Sequence, residues 1–199
     1  GHHLGGFPKY EGGLSWASNE GSADYFATLK CLRKVLPSDS IPENTDAFAA
    51  KTCQDTYPEG TDRNLCLANS LAGSSIAKLF QALRGQDVAP AFNTPDASVV
   101  EKTYDGHPGT QCRLDTYFQG ALCTKPVSEN VSETSPAPGA CTASQGFTQG
   151  LRPVCWYHPA EGEAIAAAGV ALRPASLPSE KALNERLQAL RGALSGGGR

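Results

Sequence analysis

The chain has 199 residues, which suits one large domain or a domain with a small appendage. Its net charge is −3 and its lysines and arginines are dispersed, which argues against nucleic acid as the main partner. The longest apolar stretch, around Ala164 to Leu172, is far shorter than the ~20 residues that span a bilayer. The sequence therefore predicts no membrane span. It also contains no methionine, which indicates a mature, processed or excised product.

The chain begins with an irregular, glycine-rich segment and continues mainly as helices. The predicted elements are a helix from Ser18 or Asn19 to about Leu36, stopped by Pro37; a short helix near Thr45 to Gln54; a long helix from Thr61 to Arg84, ended by Gly85; and a third helix after His107-Pro108. Residues 124–153 are rich in Ser, Thr, Gly and Pro, and we expect neighbouring cysteines to hold them. An amphipathic helix over Ser179 to Leu194 precedes a disordered tail.

Seven cysteines stand at positions 31, 53, 66, 112, 123, 141 and 155 without any Cys-x-x-Cys pair. This spacing favours disulfides over a structural zinc site, and with them a secreted or periplasmic location. Proximity alone favours the pairs Cys53–Cys66 and Cys123–Cys141. The odd count leaves one thiol that is either free or paired with a residue upstream of Gly1.

Two carboxylates mark the start of the first helix. Glu20 and Asp24 are four positions apart, so they share one helix face one turn apart. Small residues at 21–23 allow another element to approach closely. In a zinc site one carboxylate ligates and a second orients a ligating histidine. A capped helix start with acidic residues favoured by the helix dipole explains the same pattern.

The chain opens with Gly1-His2-His3, followed by Gly5-Gly6. If the preceding residues were His-Glu-x, Gly1-His2 would complete the H-E-x-x-H motif of zinc peptidases, and the glycines would end its helix. The same three residues are also compatible with the remnant of a purification tag.

A third signal combines His107-Pro108 with Arg113, six positions after the histidine. We expect proline in the first turn of a helix and Arg113 about one and a half turns later, near the same helix start. A histidine there suits donation to an oxyanion, and an arginine suits a substrate carbonyl or carboxylate. A surface histidine and a structural arginine remain the alternative.

Together these residues resemble the gluzincin metallopeptidases, and more closely the HtpX, BepA and CAAX-prenyl-protease group. In that group an H-E-x-x-H helix is followed by E-x-x-A-D and later by H-P with an arginine six positions after the histidine. The chain matches these patterns at Glu20 to Asp24 and at His107 to Arg113, and Asn19-Glu20 also fits the thermolysin-like N-E-x-x-[SA]-D pattern. The resemblance covers about residues 1–36 and 100–120.

The residue patterns predict a mainly α fold with long disulfide-bonded loops and a helical extension with a disordered tail over 159–199. The resemblance implies that residues 1–158 contain the helical C-terminal part of a zincin-like domain. It implies that His2 and Glu20 are ligands of a Zn²⁺ cofactor and that Asp24 is the partner of a ligand histidine. His107 and Arg113 would bind the transition state and a peptide or protein substrate. The first ligand histidine and the catalytic glutamate would belong to a missing N-terminal part, so we expect this chain alone to be inactive.

Two alternatives remain open at this stage. One is a non-enzymatic secreted binding module, for which Glu20 should be fully solvated and an exposed apolar or aromatic patch, for example Trp156-Tyr157, should bind a partner. The other is a pseudo-peptidase that keeps the fold but has lost the base.

Overall fold

The computed structural model describes residues 1–11, 14–37 and 45–159. Its helices are α1 (Glu20–Phe26), a π-helical turn (Ala27–Cys31), α2 (Leu32–Val35), α3 (Ala47–Thr56), α4 (Thr61–Leu83), α5 (Thr110–Leu122) and a 3-10 turn (Ala143–Gln145). Extended pairing in this part of the chain is limited to the isolated bridges Lys9–Ser18 and Cys141–Leu151. The mainly α prediction is confirmed. The predicted elements at 164–172 and 179–194 lie outside the described residues, as does the 159–199 extension beyond its first position.

The first helix begins where the sequence predicts. Asn19 has extended backbone angles, and its side chain accepts a hydrogen bond from the amide of Ser22 at 2.9 Å, which caps α1. The helix continues through the π-helical turn into α2, so the prediction to about Leu36 holds, but the turn was not expected. The Asn69 amide of α4 donates to the Thr28 carbonyl within this turn at 3.2 Å. The buried Asn69 side chain thus provides a hydrogen-bond donor for a backbone carbonyl of the π-helical turn.

The next two helices also follow their local signals. The side chain of Asp46 accepts from the amides of Phe48 and Ala49 and caps α3. The long helix α4 ends at its C-cap Arg84, and Gly85 follows with a φ of +60°, a conformation that glycine adopts without steric cost.

The last long helix, α5, is almost wholly buried between α1 and α4. Glycines permit the close approach: a Cβ on Gly73 would lie 2.5 Å from the Tyr117 Cβ, and one on Gly120 would lie 2.5 Å from the Tyr25 carbonyl oxygen. The expectation that Pro108 lies in its first turn is wrong. The helix starts at Thr110 after the N-cap Gly109, so His107 and Pro108 precede it and Arg113 lies in its first turns.

Three disulfides hold the long loops. The predicted pairs Cys53–Cys66 and Cys123–Cys141 are confirmed, and the third pair is Cys112–Cys155, with a sequence separation of 43. Two of these bonds anchor the segment between 124 and 153 to α5, as expected. The odd cysteine is Cys31, which is partly buried in the π-helical turn. No helix among the described residues combines the length and apolar character required to cross a bilayer.

A buried carboxylate on α5 makes stability depend on pH. Asp115 accepts hydrogen bonds from the Asp96 amide at 2.7 Å and from the Gln111 side chain at 2.8 Å. Burial raises its pKa from 3.8 to about 6, although these hydrogen bonds oppose the shift. The folded state therefore binds the proton of the Asp115 carboxyl more tightly than the unfolded chain does. The stability that this proton binding contributes is complete below pH ~4 and is lost as the pH rises through about 6.

We expect this loss to reach at most about 3 kcal/mol over that interval. Urea unfolding of the wild type and of Asp115→Asn across the interval measures it. The wild type should lose stability relative to the variant as the pH rises. A pH-independent difference would show that Asp115 has an ordinary pKa.

Candidate metal centre

The Glu20 carboxylate, at the first position of α1, is the centre of a cluster that contains most of the predicted site residues. Its Oε1 lies 3.1 Å from His2 Nε2, 3.4 Å from His107 Nε2 and 3.3 Å from the Tyr10 hydroxyl. Its Oε2 lies 3.8 Å from Arg113 Nη2. The side chain is only 12% exposed, so the full solvation expected for a binding module is wrong.

His2 is fixed by both its backbone and its ring. Its carbonyl accepts from the Ser18 amide at 2.8 Å, and its Nδ1 lies 2.7 Å from the Ser18 carbonyl oxygen. Because a carbonyl only accepts, this contact assigns the ring hydrogen to Nδ1. In the neutral ring, Nε2 then directs a lone pair at a carboxylate oxygen of Glu20. Two acceptors 3.1 Å apart require a proton or a cation between them.

The small residues around Glu20 allow this approach, as the sequence predicts. Gly1 presses on α1, since a Cβ there would lie 2.7 Å from the Ala23 Cβ. A Cβ on Gly21 would overlap the indole of Trp156, which is fully buried. The amides of Leu4 and Gly5 both donate to the Gly1 carbonyl, and the resulting turn holds His2 beside α1.

Asp24 lies one turn below Glu20 and forms a buried ion pair. Its Oδ2 accepts from Arg113 Nε, and its Oδ1 accepts from Arg113 Nη2 and from the Tyr117 hydroxyl, each at 2.7 Å. Burial raises the pKa of Asp24, and the hydrogen bonds from Arg113 and Tyr117 oppose that shift. No histidine of the described segments is within hydrogen-bonding distance of Asp24, so its expected histidine partner is not among them.

This ion pair gives Arg113 a structural role. Its side chain is 7% exposed, engages Asp24 through two parallel bonds and stacks on the Phe80 ring at 4.1 Å. A side chain held in this way orients α1 against α5. The contact of Arg113 with a substrate or transition state stays a prediction.

His107 lies at the outer side of the cluster, with its side chain 66% exposed. The turn that carries it is fixed by Arg84, which donates to the Pro108 carbonyl and to the Thr110 hydroxyl, each at 3.1 Å. On the other side, the Asn19 amide donates to an Asp105 carboxylate oxygen at 3.3 Å. His107 is thus accessible to a bound molecule, as the predicted role requires.

The described residues bring two side chains, not three, to one candidate metal position. Zinc holds N and O ligands at about 2.0–2.2 Å, so two ligands of a tetrahedral ion lie about 3.4 Å apart. The separation of 3.1 Å between His2 Nε2 and Glu20 Oε1 is close to that value, and so is the 3.4 Å between His107 Nε2 and the same oxygen. The two histidines and Glu20 do not form a three-ligand group in the described structure. Within the described ranges, only Asp96, Cys112 and Cys155 place three ligand atoms within 4.8 Å of one another. The disulfide between these cysteines removes both thiolates, so that group is not a zinc site.

The expected exposed patch at Trp156-Tyr157 is wrong. Trp156 is 0% exposed and Tyr157 is 7% exposed. They pack with the Cys112–Cys155 disulfide and partly buried Phe7 in one apolar cluster. These two residues therefore do not form an exposed patch for a partner, whereas Trp16 and Leu14 are more than half exposed.

Sequence reasoning missed three residues of the site, namely Tyr10, Tyr117 and Trp156. Tyr117 had a usable signal, because it follows Arg113 by four positions on the same helix face. Tyr10 and Trp156 reach the site through loops, and no local pattern indicates such contacts.

Comparison of this chain with models of protein families, with curated proteins and with solved structures found no match. The assignment of a function therefore depends on the geometry around Glu20.

Proposed function

We propose that the cluster around Glu20 is part of the active site of a zinc-dependent endopeptidase, with His2 and Glu20 as two of its protein ligands. Zinc in such a site supplies Lewis-acid activation of water and of the peptide carbonyl. The observation that carries the proposal is the contact between His2 Nε2 and Glu20 Oε1 at 3.1 Å, with the other ring nitrogen on the Ser18 carbonyl.

Two features of this contact fit a metal site. Metal-binding histidines commonly donate their other ring N–H to a carbonyl or carboxylate, as His2 does toward Ser18. The Nε2 atom of His2 and the Glu20 carboxylate face each other, so a divalent cation between them would stabilise both groups.

The buried pair of Asp24 and Arg113, one helical turn from Glu20, also supports the proposal. It fixes the first turn of α1 against α5, and this turn carries Glu20. A ligand held by such a scaffold needs little reorganisation when the metal binds. His107 lies beside Glu20 and is exposed, so its ring N–H is available to an oxyanion of a bound substrate.

Within this proposal, the first ligand histidine and the general base come from a preceding part of the same protein. The 199 residues then supply two ligands and no base, and we expect them to hydrolyse peptides slowly or not at all. A pseudo-peptidase would bind zinc through the same residues but would stay inactive with that part restored. The three disulfides favour a secreted or periplasmic location.

The first test is a calorimetric titration of the purified chain with Zn²⁺. We expect one ion to bind per chain, and we expect Glu20→Gln and His2→Ala each to abolish measurable binding because each removes one of two ligands. Binding should release protons or weaken as the pH falls, since histidine must be neutral to ligate.

The adjacent histidine provides a matched control. The ring of His3 packs edge-on against Trp16 at a centroid distance of 5.2 Å and has no contact with Glu20 in the described structure. His3→Ala should therefore leave zinc binding unchanged. Equal losses in His2→Ala and His3→Ala, or full binding by Glu20→Gln, would contradict the proposed ligand set.

A further inference from the structure

A cavity lies on the side of α1 and α2 that faces the loop between Pro126 and Glu133. Its volume is about 340 Å³. Its polar lining consists of Lys30, Lys34, Asn130, Glu129 and Glu133, and its apolar lining of Leu4, Phe26, Val127 and Val131. None of these residues belongs to the cluster around Glu20.

Among the described residues, the two lysines of this cavity form no close ion pair with a carboxylate. Lys30 is 2% exposed, and its Nζ donates to the Pro126 carbonyl at 2.6 Å, which uses one of its three N–H groups. In the part of the chain that is described, no carboxylate lies within 4.0 Å of Nζ of Lys30 or Lys34. Burial lowers the pKa of Lys30 to about 8. A buried ammonium group that no carboxylate contacts directly is stabilised by an anion placed beside it.

The acidic residues of the cavity are already neutralised by groups around it. Glu133 pairs with Lys9 at 3.2 Å. Glu129 accepts from the Gly139 amide at 2.9 Å and pairs with Lys125 at 3.5 Å. Glu129 also interacts electrostatically with Lys30 and opposes the lowering of the Lys30 pKa, whereas Arg33, Lys34 and Lys125 act in the opposite direction. Cations therefore outnumber carboxylates around the Lys30 ammonium group.

We propose that this cavity binds a carboxylate that carries a short apolar body, with the carboxylate between Lys30 and Lys34 and the body against Phe26 and Val131. Charged donors bind a carboxylate more strongly than neutral ones, and the remaining N–H groups of Lys30 provide them. Phe26 is largely buried and forms a fixed apolar wall. A cavity of about 340 Å³ lies within the range of small-molecule sites.

Two sources share this chemistry: a free medium-chain fatty acid and the last residue of a peptide with an apolar side chain. Leu4, which also lines the cavity, is 64% exposed and lies in the turn that holds His2. An occupant would bury its side chain. Carboxylate binding in this cavity does not require zinc, so its test is independent of the proposed peptidase function.

The experiment is an NMR titration of the ¹⁵N-labelled full chain with octanoate, free of metal. We expect shifts confined to the amides around Lys30 and Val131. Octanol, which has the same apolar body without the charge, should bind at least about tenfold more weakly, because it loses charge-assisted hydrogen bonds.

The matched variants are Lys30→Met, Lys34→Gln and the control Lys78→Gln, which replaces an exposed lysine on α4. We expect at least about tenfold weaker octanoate binding for Lys30→Met, a smaller loss for Lys34→Gln and no change for the control. If Lys30→Met fails to fold, Lys34→Gln and the comparison of octanoate with octanol still decide the matter. Absence of octanoate binding to the wild type, or equal binding of octanol, would overturn the proposal.

A second pair of ligands separates the two sources. A pentapeptide ending in leucine should bind as the free acid and not as the amide if the cavity takes peptide ends. If octanoate binds but the free-acid peptide does not, the natural occupant is a fatty acid. Equal binding of the acid and the amide would overturn the role of the lysines.

Discussion

Replacing Arg113 with methionine should lower the free energy of unfolding by about 3–5 kcal/mol. The variant leaves Asp24 buried without its bidentate partner, and the remaining hydrogen bond from Tyr117 does not replace a cation. Phe80 also loses the guanidinium stacked on its ring. Chemical unfolding of the wild type and the variant measures the difference.

Two controls separate this effect from a general loss of charge. Lys51→Met removes an exposed pair with Asp55 on α3 and should change stability by less than about 1 kcal/mol. Combining Asp24→Asn with Arg113→Met should restore part of the stability, because no unpaired charge is then buried. A double variant that loses the sum of the two single losses would indicate that the residues act independently.

Removing the disulfide between Cys112 and Cys155 should lower the free energy of unfolding by about 4 kcal/mol. The bond closes a long loop, so its loss raises the conformational entropy of the unfolded chain. The bond joins the start of α5 to the segment that places Trp156 on Gly21. Its loss should therefore also weaken zinc binding at Glu20. The double serine variant, studied by thermal unfolding and by zinc titration, tests both effects.

The disulfide between Cys53 and Cys66 provides the comparison. It closes a shorter loop, with a sequence separation of 13, and should contribute about 3 kcal/mol. It joins α3 to α4, away from Glu20, so its removal should leave zinc binding unchanged. Equal weakening of zinc binding in both double variants would show that the effect reflects general destabilisation.

The helices that could be predicted are those with strong local signals. Asn19 can cap a helix through its own side chain, and Gly85 ends one through its backbone freedom, so both boundaries follow from a few adjacent residues. The π-helical turn at Ala27–Cys31 depends on contacts with α4 and α5, which lie far away in the sequence. Local patterns carry no information about such contacts.

The same distinction applies to the disulfides and the site. Proximity was enough to pair Cys123 with Cys141, whereas Cys112 and Cys155 are brought together only by the packing of α5. The resemblance to metallopeptidase motifs implied that His2 and His107 belong to one site with Glu20, and the structure brings both histidines to the Glu20 carboxylate. The partner of Arg113 was missed, because the pairing with Asp24 depends on how α1 packs on α5.

The most direct test of the zinc-site proposal is an anomalous diffraction measurement on crystals of this chain grown with Zn²⁺. We predict one strong zinc peak at bonding distance, about 2.0–2.2 Å, from His2 Nε2 and a Glu20 carboxylate oxygen. Arg113 should remain on Asp24 beneath the ion. A zinc ion bound only at other residues, such as His3 or Asp96, with the contact between His2 and Glu20 intact and metal-free, would contradict the account.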